Sequence, residues 1–152
     1  MDRLLLTIGL SLLTVAVVAV LQRRRRSRTP VEVRTWNVPA IVQRADFDRP
    51  DAPWLVVVFT SATCDVCAEV WRRAAVLGGD DGEVVVQEVE AVRDRGLHER
   101  YRIDAVPLVL VADEDGTVCR HFLGPVRAPD LWGALAELRD PGSVPPGCDA
   151  HG

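Results

Sequence analysis

The feature that most constrains this chain is an unbroken apolar run, Trp54-Leu55-Val56-Val57-Val58-Phe59, leading through Thr60-Ser61-Ala62-Thr63 into Cys64-Asp65-Val66-Cys67. A run so rich in β-branched residues, with no polar alternation, reads as a strand buried on both faces. Past the cysteines the period changes. Cys67, Val70, Trp71, Ala74 and Leu77 recur at spacings of three and four and so share one face of a helix. Asp65, Glu69, Arg72 and Arg73 fall on the other face, with Glu69 and Arg73 placed for an i,i+4 ion pair. Gly78-Gly79 is predicted to stop this helix. The two cysteines therefore sit where a buried strand turns into a helix.

The remaining pattern completes a layered domain. Residues 83–89 read as a second β-branched strand, which with the first makes a right-handed parallel unit. Residues 91–101 read as a short polar helix, and residues 106–112 as a third strand. The turn Asp113-Glu114-Asp115-Gly116 then returns the chain along residues 117–123 as an antiparallel hairpin. A last helix over 129–139 has Leu131, Leu135 and Leu138 on one face and Pro129 where a helix start accepts it. The order is β-α-β-α-β-β-α, an α/β class. The domain is expected over residues 36–140, with Trp36 opening its early structure and the proline- and glycine-rich residues 141–152 a disordered tail.

Ahead of the domain, residues 4–21 form 18 consecutive positions without a charge. At a rise of ~1.5 Å per residue this is about 27 Å of helix, close to the hydrocarbon thickness of a bilayer. The competing reading is a cleavable signal peptide. Against it, Met1-Asp2-Arg3 is nearly neutral, the apolar run is long, and arginines stand where small residues should mark a cleavage site. An N-terminal transmembrane helix over 4–21 is the expectation, followed by a basic juxtamembrane linker over 22–35. Arg23, Arg24, Arg25, Arg26 and Arg28 follow the span, whereas Arg3 and the terminal amine precede it with Asp2 beside them. Positive flanks stay in the cytoplasm, so the soluble domain is expected there, with the arginines against anionic lipid headgroups. From Thr29 onward 12 arginines face 21 acidic residues, a formal net charge of −9. A domain that acidic repels a phosphate backbone, which argues against nucleic-acid partners.

A C-x-x-C pair serves redox chemistry or metal binding. Zinc takes four ligands, commonly from two such pairs or from a pair with two histidines. No second pair exists, and Cys119, His121, Cys148 and His151 are divided between a strand and the tail. A strand-to-helix junction instead suits a dithiol, because unpaired N–H groups and the helix dipole stabilise a thiolate there. Cys64 is then the nucleophile that forms a mixed disulfide, and Cys67, one turn on, the thiol that resolves it. Neither metal nor organic cofactor is expected. Trp36, Trp54, Trp71 and Trp132 read as core or interface packing, Cys119 as a buried strand thiol, and Cys148 as an inert tail cysteine, with mixed-disulfide resolution its alternative.

On these residues the chain resembles the thioredoxin family over about 87 of its 152 residues. The match takes in Cys64-Asp65-Val66-Cys67, Val106-Pro107, Asp115-Gly116-Thr117-Val118 and Gly124. The resemblance implies a central mixed β-sheet flanked by helices, with a cis bond before Pro107 and a substrate contact at Val106 and Pro107. This sequence also departs from the pattern. Thr63 replaces the usual tryptophan, Asp65-Val66 replaces Gly-Pro, and Val58 stands where many members have a buried aspartate. Glu88, aligned with a family lysine, reads as a surface glutamate, its alternative being a substitute for the missing acid. The expected function is a membrane-anchored thiol-disulfide oxidoreductase acting on protein disulfides or dithiols. One alternative is an extracytoplasmic reductant of the cytochrome-maturation type, which needs the opposite topology. The other is a non-catalytic binding or redox-sensing module at the membrane, to which the changes at Thr63 and Val58 lend support.

Overall fold

Trp54–Thr60 forms the first strand, β1, and takes the interior of the sheet because Leu55 to Phe59 are all apolar and the hydroxyl of Thr60 finds a partner in Glu88. The computed structural model describes residues 36–79 and 82–143. After β1 come α1 (Cys67–Ala75), β2 (Val84–Glu90), α2 (Arg95–Tyr101), β3 (Leu108–Ala112), β4 (Val118–Leu123) and α3 (Ala128–Arg139). The strands lie in the order β2-β1-β3-β4, with β2 parallel to β1 and the other pairs antiparallel. The element order is the expected one.

Alternation along β1 divides the core in two. Leu55, Val57 and Phe59 pack with Val42, Phe47, Val89 and Tyr101 on one face. Val56 and Val58 pack with Val70 and Ala74 of α1 and Leu131 and Leu135 of α3 on the other. All five of these β1 residues are fully buried, and each such side chain contributes about 1.5–3 kcal/mol of transfer free energy. Two hydrogen bonds tie α1 to α3 and to the segment that leads into it. Arg73 donates to the carbonyl of Val126 at 2.6 Å, and the Trp132 indole donates to the carbonyl of Arg73 at 3.0 Å. The i,i+4 pair between Glu69 and Arg73 forms as the spacing requires.

The described residues belong to one unit that begins at Trp36. Its opening segment passes beside the β3–β4 turn, where the Val42 N–H donates to Gly116 O and the Val118 N–H to Ala40 O. The Asn37 side chain caps the end of α2 by donating to the carbonyls of Tyr101 (3.0 Å) and Arg102 (3.2 Å). Gly116 turns the hairpin at φ +81°, a left-handed conformation that other residues adopt at a cost.

Some boundaries differ from the sequence reading. The second helix occupies only Arg95–Tyr101, because the preceding residues are held in a turn by the side chains of Glu90 and Asp94. The third strand starts at Leu108, after a proline that has no N–H to give a ladder. Cys119 is half-exposed rather than buried, since β4 is an edge strand with the pleat only partly covered. Of the tryptophans, Trp54 and Trp71 pack on the core as expected, while Trp36 and Trp132 lie partly exposed. Among the described residues no helix is long and apolar enough to cross a membrane. The span over 4–21, the linker over 22–35, the arginines Arg23 to Arg28, and Cys148 and His151 in the tail lie outside the described residues.

Candidate active site

The chain leaves β1 at Thr60 and winds into α1 through two successive turns. The Cys64 N–H donates to Ser61 O at 3.0 Å, and the Cys67 N–H donates to Cys64 O at 3.3 Å. Cys64 and Cys67 are joined in a disulfide, with their Cα atoms 5.4 Å apart. Their surroundings are unequal. Cys67, the first residue of α1, is 2% exposed and packs inward, whereas Cys64 is half-exposed. The pair thus joins a partly exposed cysteine to a buried one, an asymmetry that suits attack and resolution by different thiols.

The Val106-Pro107 peptide bond is cis. Pro107 is buried, Val106 half-buried, and the Pro107 carbonyl accepts the Gly124 N–H at 2.8 Å. Because Phe59 pairs with Leu108, Pro107 stands at the end of β3 that meets the carboxyl end of β1. Cys64, Cys67 and Pro107 therefore gather at one end of the sheet. A mixed sheet ordered β2-β1-β3-β4, a Cys-x-x-Cys disulfide opening the helix after the central strand, and a cis-proline before β3 occur here together.

The fold is thioredoxin-like. That assignment rests on topology and on where the disulfide and the cis-proline fall. Solved structures that overlay on the chain include that of a malarial protein, at 15% identity and TM-score 0.49, covering 56% of this chain and 96% of that one. Another is a mutant thioredoxin from Halobacterium salinarum NRC-1, at 18% identity and TM-score 0.49, covering 59% of this chain and 76% of that one. No family model matches the chain, and no curated protein matches it.

At the end of β1 and in the loop that leads to the disulfide, this thioredoxin-like domain has two carboxylate contacts that the sequence reading largely missed. Glu88 is not on open surface. Its side chain is 26% exposed, it accepts a hydrogen bond from the Thr60 hydroxyl at 2.9 Å, and it pairs with Arg93 at 3.7 Å. Glu90 accepts three backbone N–H groups, from Ala62, Val92 and Arg93. The N–H groups of Arg93, Val92 and Ala62 hold its carboxyl below the usual carboxylate range. No periodicity marks Glu90 as special. The available signal is that it ends β2 in register with Thr60, the last strand residue before the cysteine loop.

Among the described residues no group of three or more His, Cys, Asp and Glu side chains is placed to hold a metal ion. Cys119 stands apart on β4, its sulfur 3.7 Å from Asp113 Oδ2. Burial, and then the charge of Asp113, push its thiol up, which makes it a poor nucleophile.

Proposed function

We propose that this chain is a thiol-disulfide oxidoreductase tethered to a membrane by residues 4–21, with Cys64 as nucleophile and Cys67 as resolving thiol. The observation that carries the chemistry is the unequal exposure of a disulfide-bonded C-x-x-C pair at the mouth of α1. In the reduced protein the Cys64 thiolate attacks one sulfur of a substrate disulfide. A Cys64–substrate bond forms, and the other substrate sulfur leaves as a thiolate that takes up a proton. Cys67 then gives up its proton and attacks the Cys64 sulfur. The Cys64–Cys67 disulfide closes and the second substrate thiol is released. The substrate gains two electrons and two protons, and another dithiol protein restores the pair by the reverse exchange. Val106 and Pro107 would flank the substrate chain, since they sit at the end of the sheet from which the cysteine loop departs.

The uncharged run over 4–21 and the arginines after it support an address on the cytoplasmic face of a membrane, against anionic lipid. The acidic domain that follows supports protein rather than nucleic-acid partners.

The test uses the full chain. Reduction of protein disulfides is expected from the wild type, loss of that activity from Cys64→Ser, and accumulation of a covalent mixed disulfide from Cys67→Ser. A wild type no faster than Cys64→Ser on several substrates would refute the oxidoreductase reading. Reporters fused to the C-terminus test the address, and a signal from outside the cytoplasm would reverse the orientation.

A further inference from the structure

One side chain laces the cysteine loop to the next loop of the domain. Glu90 Oε1 accepts the N–H of Ala62 at 3.1 Å, while Oε2 accepts those of Val92 and Arg93, each at 2.9 Å. Ala62 lies inside the turn that the Cys64 N–H closes on Ser61 O. Ala62 and Thr63 are exposed and stand beyond the last paired residue of β1, so the sheet ladder does not hold them. Other ties here are local, between the Ser61 and Thr63 hydroxyls at 3.1 Å and from the Thr63 N–H to Ser61 Oγ at 3.4 Å. Glu90 itself is anchored. It ends β2 beside Thr60, its N–H donates to Asp94 Oδ2 at 2.8 Å, and the Ala91 N–H donates to Thr60 O at 3.0 Å. The carboxylate thus reaches from a fixed strand end to a loop with few other supports.

We infer that Glu90 is a positioning residue for Cys64: by clamping Ala62 it keeps the Cys64 turn in place when the disulfide opens, and so sets the equilibrium between disulfide and dithiol. An intramolecular disulfide forms in proportion to the effective concentration of one thiol at the other, and that concentration falls when the segment carrying a thiol is freed. Releasing Ala62 therefore favours the dithiol. The inference rests on the reading of Cys64 and Cys67 as a redox pair. The reaction it concerns is the reduction of the Cys64–Cys67 disulfide by two glutathione molecules, which yields the dithiol and one glutathione disulfide.

The experiment equilibrates the full chain with glutathione buffers and reads the fraction oxidised for wild type, Glu90→Ala, Glu90→Gln and Glu90→Asp. Glutamine removes the charge and one acceptor oxygen. Aspartate keeps the charge but is too short to span both loops. All three variants are expected to lower the equilibrium constant for disulfide formation by about threefold to tenfold, tenfold being about 30 mV for a two-electron couple. Constants equal to wild type in all three would overturn the inference. So would a shift in Glu90→Gln with Glu90→Asp unchanged, which would assign the effect to charge. Amide exchange at Ala62 in the oxidised wild type needs no variant to fold, and an unprotected Ala62 N–H would overturn the clamp by itself. Failure of the oxidoreductase reading looks different, because it shows as a wild type no faster than Cys64→Ser whatever the glutathione equilibrium.

Discussion

Thr60 and Glu88 meet across neighbouring strands, the threonine hydroxyl donating to the carboxylate at 2.9 Å. Val58 is in register with Glu88 and lies two residues before Thr60, so it shares the face on which this bond is made. The position at which the family resemblance calls for an acid thus has an apolar side chain, with a carboxylate on the adjacent strand. Thr60 is 2% exposed, and a buried hydroxyl without a partner is costly. Thr60→Val, which preserves shape, is expected to destabilise the chain by about 1 kcal/mol in urea unfolding. A double-mutant cycle with Glu88→Ala should return a coupling energy of about 1 kcal/mol, and additivity would show that the bond contributes nothing.

Gly116 is required by both its conformation and its neighbour. At φ +81° a Cβ added there would stand 2.0 Å from the carbonyl oxygen of Val42. The same oxygen belongs to the segment that runs beside the hairpin, which includes the bridge between Ile41 and Thr117. Gly116→Ala is expected to destabilise the chain by roughly 3 kcal/mol, combining left-handed strain with displacement of that segment. Chemical denaturation checks this, and a loss below about 1 kcal/mol would mean that the turn and its neighbour relax freely.

Tyr101 gives an alkaline signature. Its hydroxyl donates to Asp46 Oδ2 and accepts the Gln43 N–H at 2.9 Å. Burial, and then the bond to Asp46, raise its pKa from the ordinary 10.0 to about 12. The folded chain therefore keeps a proton that the unfolded chain loses above pH ~10, so stability is full below that pH and falls toward pH ~12. Tyr101 is the chain's single tyrosine, so tyrosinate absorbance reports this one group. A titration midpoint near that of the urea-unfolded chain would refute the arrangement. Tyr101→Phe is expected to cost about 1 kcal/mol at neutral pH and to flatten the alkaline decline in stability.

Local periodicity made much of this protein legible in its sequence. The run from Trp54 to Phe59 has no polar residue to face water, so a doubly buried strand is its natural outcome. The spacing of Cys67, Val70 and Ala74 buries one stripe of α1, and the pair at Glu69 and Arg73 follows from the helix pitch alone. The cysteine spacing and its place after β1 are equally local, and the disulfide sits there. Which side chains support that site was decided elsewhere. Glu90 reaches Ala62 across 28 positions, and away from the site Tyr101 reaches Asp46 across 55. Cys119 is half-exposed only because the strand order leaves β4 at an edge. Such contacts depend on which strand lies beside which, and no period of two or of 3.6 residues carries that information. The sequence determined where the two sulfurs lie and that they can bond. The tertiary structure alone decided that Cys64 stays partly exposed while Cys67 is buried, and that a glutamate from the next strand accepts a hydrogen bond from the turn between β1 and Cys64.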